Sequence, residues 1–179
     1  MKIQVIYSSI SGSTKKLAHT IYDGLSTNQK SIHDLKDGTP VLDGDIILLG
    51  YWGRSGHPNN EMLALLNTVE NKTVGIFCTL GYYADSSHAF DTVQFGTNIL
   101  KNHKNIIIGT YVCNGAVSPD LMETHKIPLH PTQQKELRWE MIKDHPTKAE
   151  CILASERFNE RIQMYIRCKE LNIPFQSIL

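Results

Sequence analysis

The residues with the most chemistry to offer lie together near the start of the chain. Ser8-Ser9-Ile10-Ser11-Gly12-Ser13-Thr14-Lys15 puts five hydroxyls and a glycine between an apolar run and an amphipathic one. At a strand-to-helix turn this composition makes an anion cradle. Gly12 lets the backbone approach the anion, and the first helical turn offers unpaired N–H groups. The hydroxyls of Ser8, Ser9, Ser11, Ser13 and Thr14 add further donors. Phosphate is the anion such a cradle fits. The stretch has neither the GxxxxGKS/T pattern of nucleoside triphosphatases nor the GxGxxG of dinucleotide folds.

Other reactive side chains are scattered. Cys78, Cys113, Cys151 and Cys168 stand 35, 38 and 17 residues apart, which matches neither a CxxC redox pair nor a zinc knuckle. Reduced, mostly buried thiols are expected. None of them begins a CxxxxxR loop in the phosphate position, so thiol phosphatase chemistry has no nucleophile. A phospho-accepting receiver would need clustered acids after the first strand and an Asp after the third. Those places hold Ser8-Ser9 and Gly50-Tyr51. His130-Pro131-Thr132 and His145-Pro146-Thr147 look like paired ligands, but Pro and a hydroxyl are favoured where helices start. No metal site is expected.

These residues need a frame to hold them. Near-continuous apolar runs at Ile3–Tyr7, Ile46–Leu49, Val74–Leu80 and Ile106–Val112 predict strands covered on both faces. Ser31–Leu35 supplies a further strand, because a βαβ unit needs a partner there. Helical spacing appears in Thr14–Leu25, in Glu61–Val69 and across Ser86 to Lys101. Repeated strand and helix mean right-handed crossovers and a parallel sheet between two helical layers. After Val112 the pattern breaks at Gly115, Pro119, Pro128 and Pro131, which predicts an excursion across the top of the sheet with a short helix near Pro119–Thr124. Thr132 is expected to cap a helix over Gln133–Lys143. Thr147 with Glu150 predicts a capping box for a long terminal helix.

The 179 residues fit one domain, 1–179, with a core large enough to dispense with disulfides. Lys+Arg and Asp+Glu balance at 18 each, which leaves no chain-wide field for nucleic acid or an anionic membrane. The longest apolar stretch, from Ile46 through Trp52, falls far short of the roughly 20 residues that span a bilayer. Met1-Lys2 leads straight into the first strand with no charged leader, so a cytoplasmic location is expected.

Ser9-x-Ser11-Gly12-x-Thr14 resembles the phosphate signature of the flavodoxin family. Asp45–Gly50 followed by Tyr51-Trp52-Gly53 resembles that family's strand-three loop, and Thr79-Leu80-Gly81-Tyr82-Tyr83-Ala84-Asp85-Ser86 its strand-four loop. Tyr111–Gly115, Arg138-Trp139-Glu140 and His145-Pro146 are similar to a bacterial subgroup with members associated with anaerobic haem or bilin reduction. The resemblance implies an α/β, flavodoxin-like three-layer α/β/α sandwich with five parallel strands in order 2-1-3-4-5 and a C-terminal helical extension. FMN would then lie at the carboxyl ends of the strands, at the topological switch point. Implied cofactor-binding residues are Ser8, Ser9, Ser11, Gly12, Ser13, Thr14, Tyr51, Trp52, Gly53, Arg54, Thr79, Leu80, Gly81, Tyr82, Tyr83 and Asp85. The isoalloxazine would lie against Trp52 and Tyr82 or Tyr83, since aromatic burial suits a flat ring.

On that resemblance the protein is an electron carrier. It would cycle FMN between oxidised, semiquinone and hydroquinone states to supply low-potential electrons to a reductive partner, after reduction by a donor reductase. No side chain is expected to be catalytic, because the chemistry belongs to the cofactor. Gly53 and Gly56 imply a flexible loop in which the Trp52-Gly53 peptide turns toward the flavin, and Arg54 would favour negative charge on the reduced ring. The alternative is an FMN-dependent reductase acting directly on a quinone or a tetrapyrrole, with His88, His125 or His130 available to haem iron. A third reading keeps the cradle in a binding module without redox use. With no net charge, docking should rely on local patches or on apolar contact near Trp52 and Tyr82–Tyr83.

Overall fold

The computed structural model describes residues 1–123 and 132–177. Its centre is a parallel sheet of β1 (Ile3–Tyr7), β2 (Lys30–Asp34), β3 (Ile46–Arg54), β5 (Thr73–Leu80) and β6 (Ile106–Asn114) in the order β2-β1-β3-β5-β6. A two-residue strand, β4 (His57–Pro58), folds back antiparallel on the end of β3. The expected order of five parallel strands is therefore observed, with β4 added. β1 lies between β2 and β3, Val5 facing both Ile32 and Leu48, so the chain reverses its direction of winding at β1 and β3. That switch point opens a crevice at the carboxyl edge of the sheet.

Alternate strand residues feed two apolar layers. Val5, Leu48, Phe77 and Ile108 pack under α1 (Ser13–Gly24) and the long terminal helix α5 (Lys148–Glu170), which contributes Ala154, Phe158 and Ile162. Ile6, Ile47, Leu49, Ile76 and Ile107 face the other way, toward α2 (Asn60–Leu66) and α3 (Ser87–Asn102). The terminal helix is thus a full member of one layer, and its capping box is present, with Thr147 and Glu150 each bonded to the other's backbone N–H.

The elements match the sequence pattern closely, with shifts that have local causes. β3 runs on through Trp52 to Arg54 because Ser55 and Gly56, at φ 51° and 82°, form a tight turn that lets His57 pair with Arg54. α2 stops at Leu66, before the expected Val69, where Asn67 and Thr68 side chains take the Leu63 and Leu65 carbonyls at 2.7 and 2.8 Å. Residues 119–123 are helical; Thr124, His125, Pro128, His130 and Pro131 lie outside the described residues. A further helix, α4 (Gln133–Met141), is capped by Thr132, whose hydroxyl accepts from Lys135 N. Among the described residues no helix is long and apolar enough to cross a membrane.

Candidate functional site

Gly12 starts the site. It stands at the N-cap of α1 with φ 90°, a conformation that favours glycine, and has no side chain to cap the helix; Ser11 Oγ accepts from Ser13 N at a long 3.4 Å. A Cβ there would meet nothing within 4 Å, so the space beside Gly12 is open. Around it the five hydroxyls divide by function. Ser9 is 4% exposed and its Oγ has no hydrogen-bond partner. Ser11 Oγ donates to Ser13 Oγ at 3.1 Å, and Ser13 Oγ donates in turn to the His145 carbonyl at 3.1 Å. Thr14 Oγ1 hydrogen-bonds Thr79 Oγ1 at 2.9 Å, linking α1 to the end of β5. Ser8 Oγ accepts from Asn59 Nδ2 at 2.8 Å. A buried, unpaired hydroxyl next to a glycine-started helix N-terminus is a donor set that suits a phosphate.

The cradle opens into a cleft of about 660 Å³ across the carboxyl ends of β3, β5 and β6, a size that suits a ligand of FMN's dimensions. Of the sequence-predicted residues, Ser11, Trp52, Gly53, Arg54, Thr79, Leu80, Gly81 and Tyr82 line it together. Ser8, Ser9, Gly12, Ser13 and Thr14 form the loop and helix start beside it without lining the cleft itself. Tyr83 and Asp85 are exposed and do not line it; the Tyr83 ring packs 5.1 Å from that of Tyr82.

Tyr51 points elsewhere. Its ring is fully buried in the α2–α3 layer and its hydroxyl donates to the Thr92 carbonyl at 3.1 Å, because alternation along β3 sends residue 51 to one face and neighbouring Trp52 to the other. Burial pushes the Tyr51 phenol well above its usual 10.0. The flexible peptide expected at Trp52-Gly53 is also corrected. Trp52 pairs with Thr79 in the sheet, and its carbonyl accepts from Asn59 N at 3.2 Å. The peptide is locked into β3, and the turn falls at Ser55-Gly56.

One feature of the site was not read from the sequence, and a second was read only as an excursion across the top of the sheet. Asn59, wholly buried at the N-cap of α2, ties Ser8 to Trp52 through its side-chain amide and its backbone N–H. A lone Asn carries no periodic signal, and only the fold brings it to Ser8. The second is the far wall of the cleft, made by Ala116, Val117, Ser118 and Leu121 with Lys135, Arg138 and Trp139 of α4. Gly115 anchors this wall. A Cβ on it would sit 2.9 Å from both Ser13 Cβ and Thr79 Cβ, so glycine alone allows the chain to pass that close. Arg138 Nε donates to the Gly81 carbonyl at 3.2 Å, and its guanidinium lies 4.4 Å from the Tyr82 ring centroid. His88 lines the cleft on the α3 side, 5.9 Å from Tyr82. The four cysteines are free thiols, three of them buried.

Comparison with known proteins agrees with this geometry. The family model described as a flavodoxin domain matches residues 4–159. A curated relative, the flavodoxin-like domain-containing protein BilS of Clostridioides difficile strain CD3, is 30% identical over 148 residues, covering 81% of this chain and 84% of that protein. Among solved structures, the Fusobacterium nucleatum flavodoxin bound to flavin mononucleotide superposes with a TM-score of 0.56 at 13% identity, covering 93% of this chain and 97% of that one. Oxidised flavodoxin 1 from Bacillus cereus gives 0.54 at 16% identity, covering 85% and 97%. These two likenesses speak to the fold alone. Sheet order, the loop at the start of α1 and the family match over most of the sequence agree that the chain belongs to the flavodoxin family.

Proposed function

We propose that this protein binds FMN in the cleft at the carboxyl edge of its sheet and carries electrons, in the cytoplasm, from a reductase to a reductive partner. The observation that carries this reading is the buried, partnerless Ser9 hydroxyl next to the Gly12-started N-terminus of α1. Hydroxyl and helix N–H groups are complementary to a terminal phosphate, and the adjoining cleft offers Trp52 and Tyr82 to a flat ring.

When bound, the flavin supplies the electron chemistry. The chain does the rest. Ser9 and the first N–H groups of α1 would hold the phosphate, with Ser11 donating to Ser13 behind them. The Thr14–Thr79 bond and Gly115 fix the loop against β5, and Asn59 ties it to the Trp52 strand. Trp52, Leu80 and Tyr82 exclude water from the ring, and Arg54 places a cation at the rim.

The wall added by residues 115–121 and α4 favours a second reading, direct reduction of a small oxidant such as a quinone or a tetrapyrrole, because it deepens the cleft beyond the three strand loops. The two readings separate in one experiment. FMN-loaded protein is given NADH or NADPH, with and without a flavodoxin reductase and with a quinone as acceptor. Consumption only when the reductase is present supports the carrier; rapid consumption without it overturns that reading in favour of the direct reductase.

A further inference from the structure

The charge of the cleft remains to be explained. Among the described residues its lining includes three cations, Arg54, Lys135 and Arg138, and no Asp or Glu, in a chain whose acids and bases balance at 18 each. None of the three forms an ion pair among the described residues. Glu140, the neighbouring carboxylate on α4, is taken by Lys143. Arg138 is held most firmly: the face of Tyr82 at 4.4 Å and the Gly81 carbonyl at 3.2 Å fix its guanidinium in the wall of the cleft. That bond uses Nε, and the two terminal nitrogens make no hydrogen bond to the described protein. A half-buried, planar cation with unspent donors is an anion receptor. The phosphate cradle does not need it, because hydroxyls and backbone serve that end, and Arg138 sits instead with Tyr82 at the end of β5.

We infer that Arg138 is the charge-setting residue of the flavin site, stabilising the negative charge that the ring would acquire on reduction. Two-electron reduction with uptake of one proton leaves a single negative charge on the flavin ring, and a fixed cation nearby binds that state more tightly than the neutral oxidised ring. This rests on the FMN reading above. Lys135, half-buried against Trp139 at 5.0 Å, adds to the same field.

The test uses FMN-loaded wild type, Arg138→Gln and Arg138→Lys. Arg138→Gln is expected to leave the affinity for oxidised FMN within about threefold and to weaken that for fully reduced FMN by roughly tenfold. By linkage this lowers the two-electron potential by about 30 mV. Arg138→Lys, which keeps the charge but loses the fork, should restore most of the potential. An unchanged potential in Arg138→Gln, or equal weakening of both redox states, would show a packing or phosphate role and overturn the inference. Lys135→Gln should lower the same potential by a smaller amount, and it carries the test if Arg138→Gln does not fold. Failure of the wild type to bind FMN would sink the underlying reading instead, so the two failures are distinguishable.

Discussion

Replacing Ser9 by Ala should move stability and affinity in opposite directions. Ser9 is 4% exposed and its hydroxyl has no partner. A buried polar group left unmade costs about 1–3 kcal/mol. Ser9→Ala removes that penalty and gives up only the packing of one atom, so the apoprotein should unfold at the same temperature or a few degrees higher, at roughly 2–4 °C per kcal/mol for a chain of this size. In the proposed FMN complex the same hydroxyl would donate to a charged acceptor, a bond worth about 1.5–3 kcal/mol. Its loss weakens FMN roughly 10- to 150-fold. Riboflavin, which lacks the phosphate, should be unaffected. Ser11→Ala is the contrast, because Ser11 Oγ is already bonded to Ser13 and its removal should lower apoprotein stability. Thermal unfolding of the apoproteins and fluorescence titration with both flavins read all of this. A less stable Ser9→Ala apoprotein with an unchanged ratio of FMN to riboflavin affinity would refute the assignment of Ser9 to phosphate.

Asn59→Ala should lower the unfolding temperature by several degrees, since it removes a wholly buried bond to Ser8. It should also weaken FMN, because Asn59 fixes the loop relative to Trp52; a loss of stability with normal FMN affinity would make it merely structural. Alkaline pH should destabilise the fold, and the effect should begin with the buried thiols. Burial pushes the Cys78 and Cys113 thiols well above their usual 9.0. Above pH 9 the unfolded chain therefore releases protons that the native one retains, and stability falls as pH rises. Each thiol accounts for about 1.4 kcal/mol by pH 10. Urea midpoints at pH 8 and pH 10 measure the effect, and equal midpoints would contradict it.

Much of this was legible in the sequence because it is local. Strands buried on both faces are continuous apolar runs, the hydroxyl-rich loop announces itself by composition, and Thr147 with Glu150 specifies its own capping box. What escaped depends on contacts distant in sequence. The side of the sheet on which Tyr51 falls is fixed by alternation within a strand five residues longer than the apolar run Ile46–Leu49 that marked it, and its extension depends on the His57–Arg54 pairing. Asn59 meets Ser8 across 51 residues, and Arg138 meets Gly81 across 57. Neither pairing leaves a periodic trace, and both become visible only when β1, β3, β5 and α4 are placed side by side.

The central claim is that FMN lies with its phosphate at the start of α1 and its ring between Trp52 and Tyr82. Amide and indole chemical shifts of the apoprotein, followed as one equivalent of FMN and, separately, inorganic phosphate are added, test it most directly. With FMN, the amides of Ser11 to Lys15 should move together with those of Trp52, Gly81 and Tyr82 and with the Trp52 indole N–H; phosphate alone should move only the first set. Unmoved amides at Ser11–Lys15, or shifts centred on the smaller cavity of about 260 Å³ beside Gly109, Arg157 and Arg161, would contradict the account.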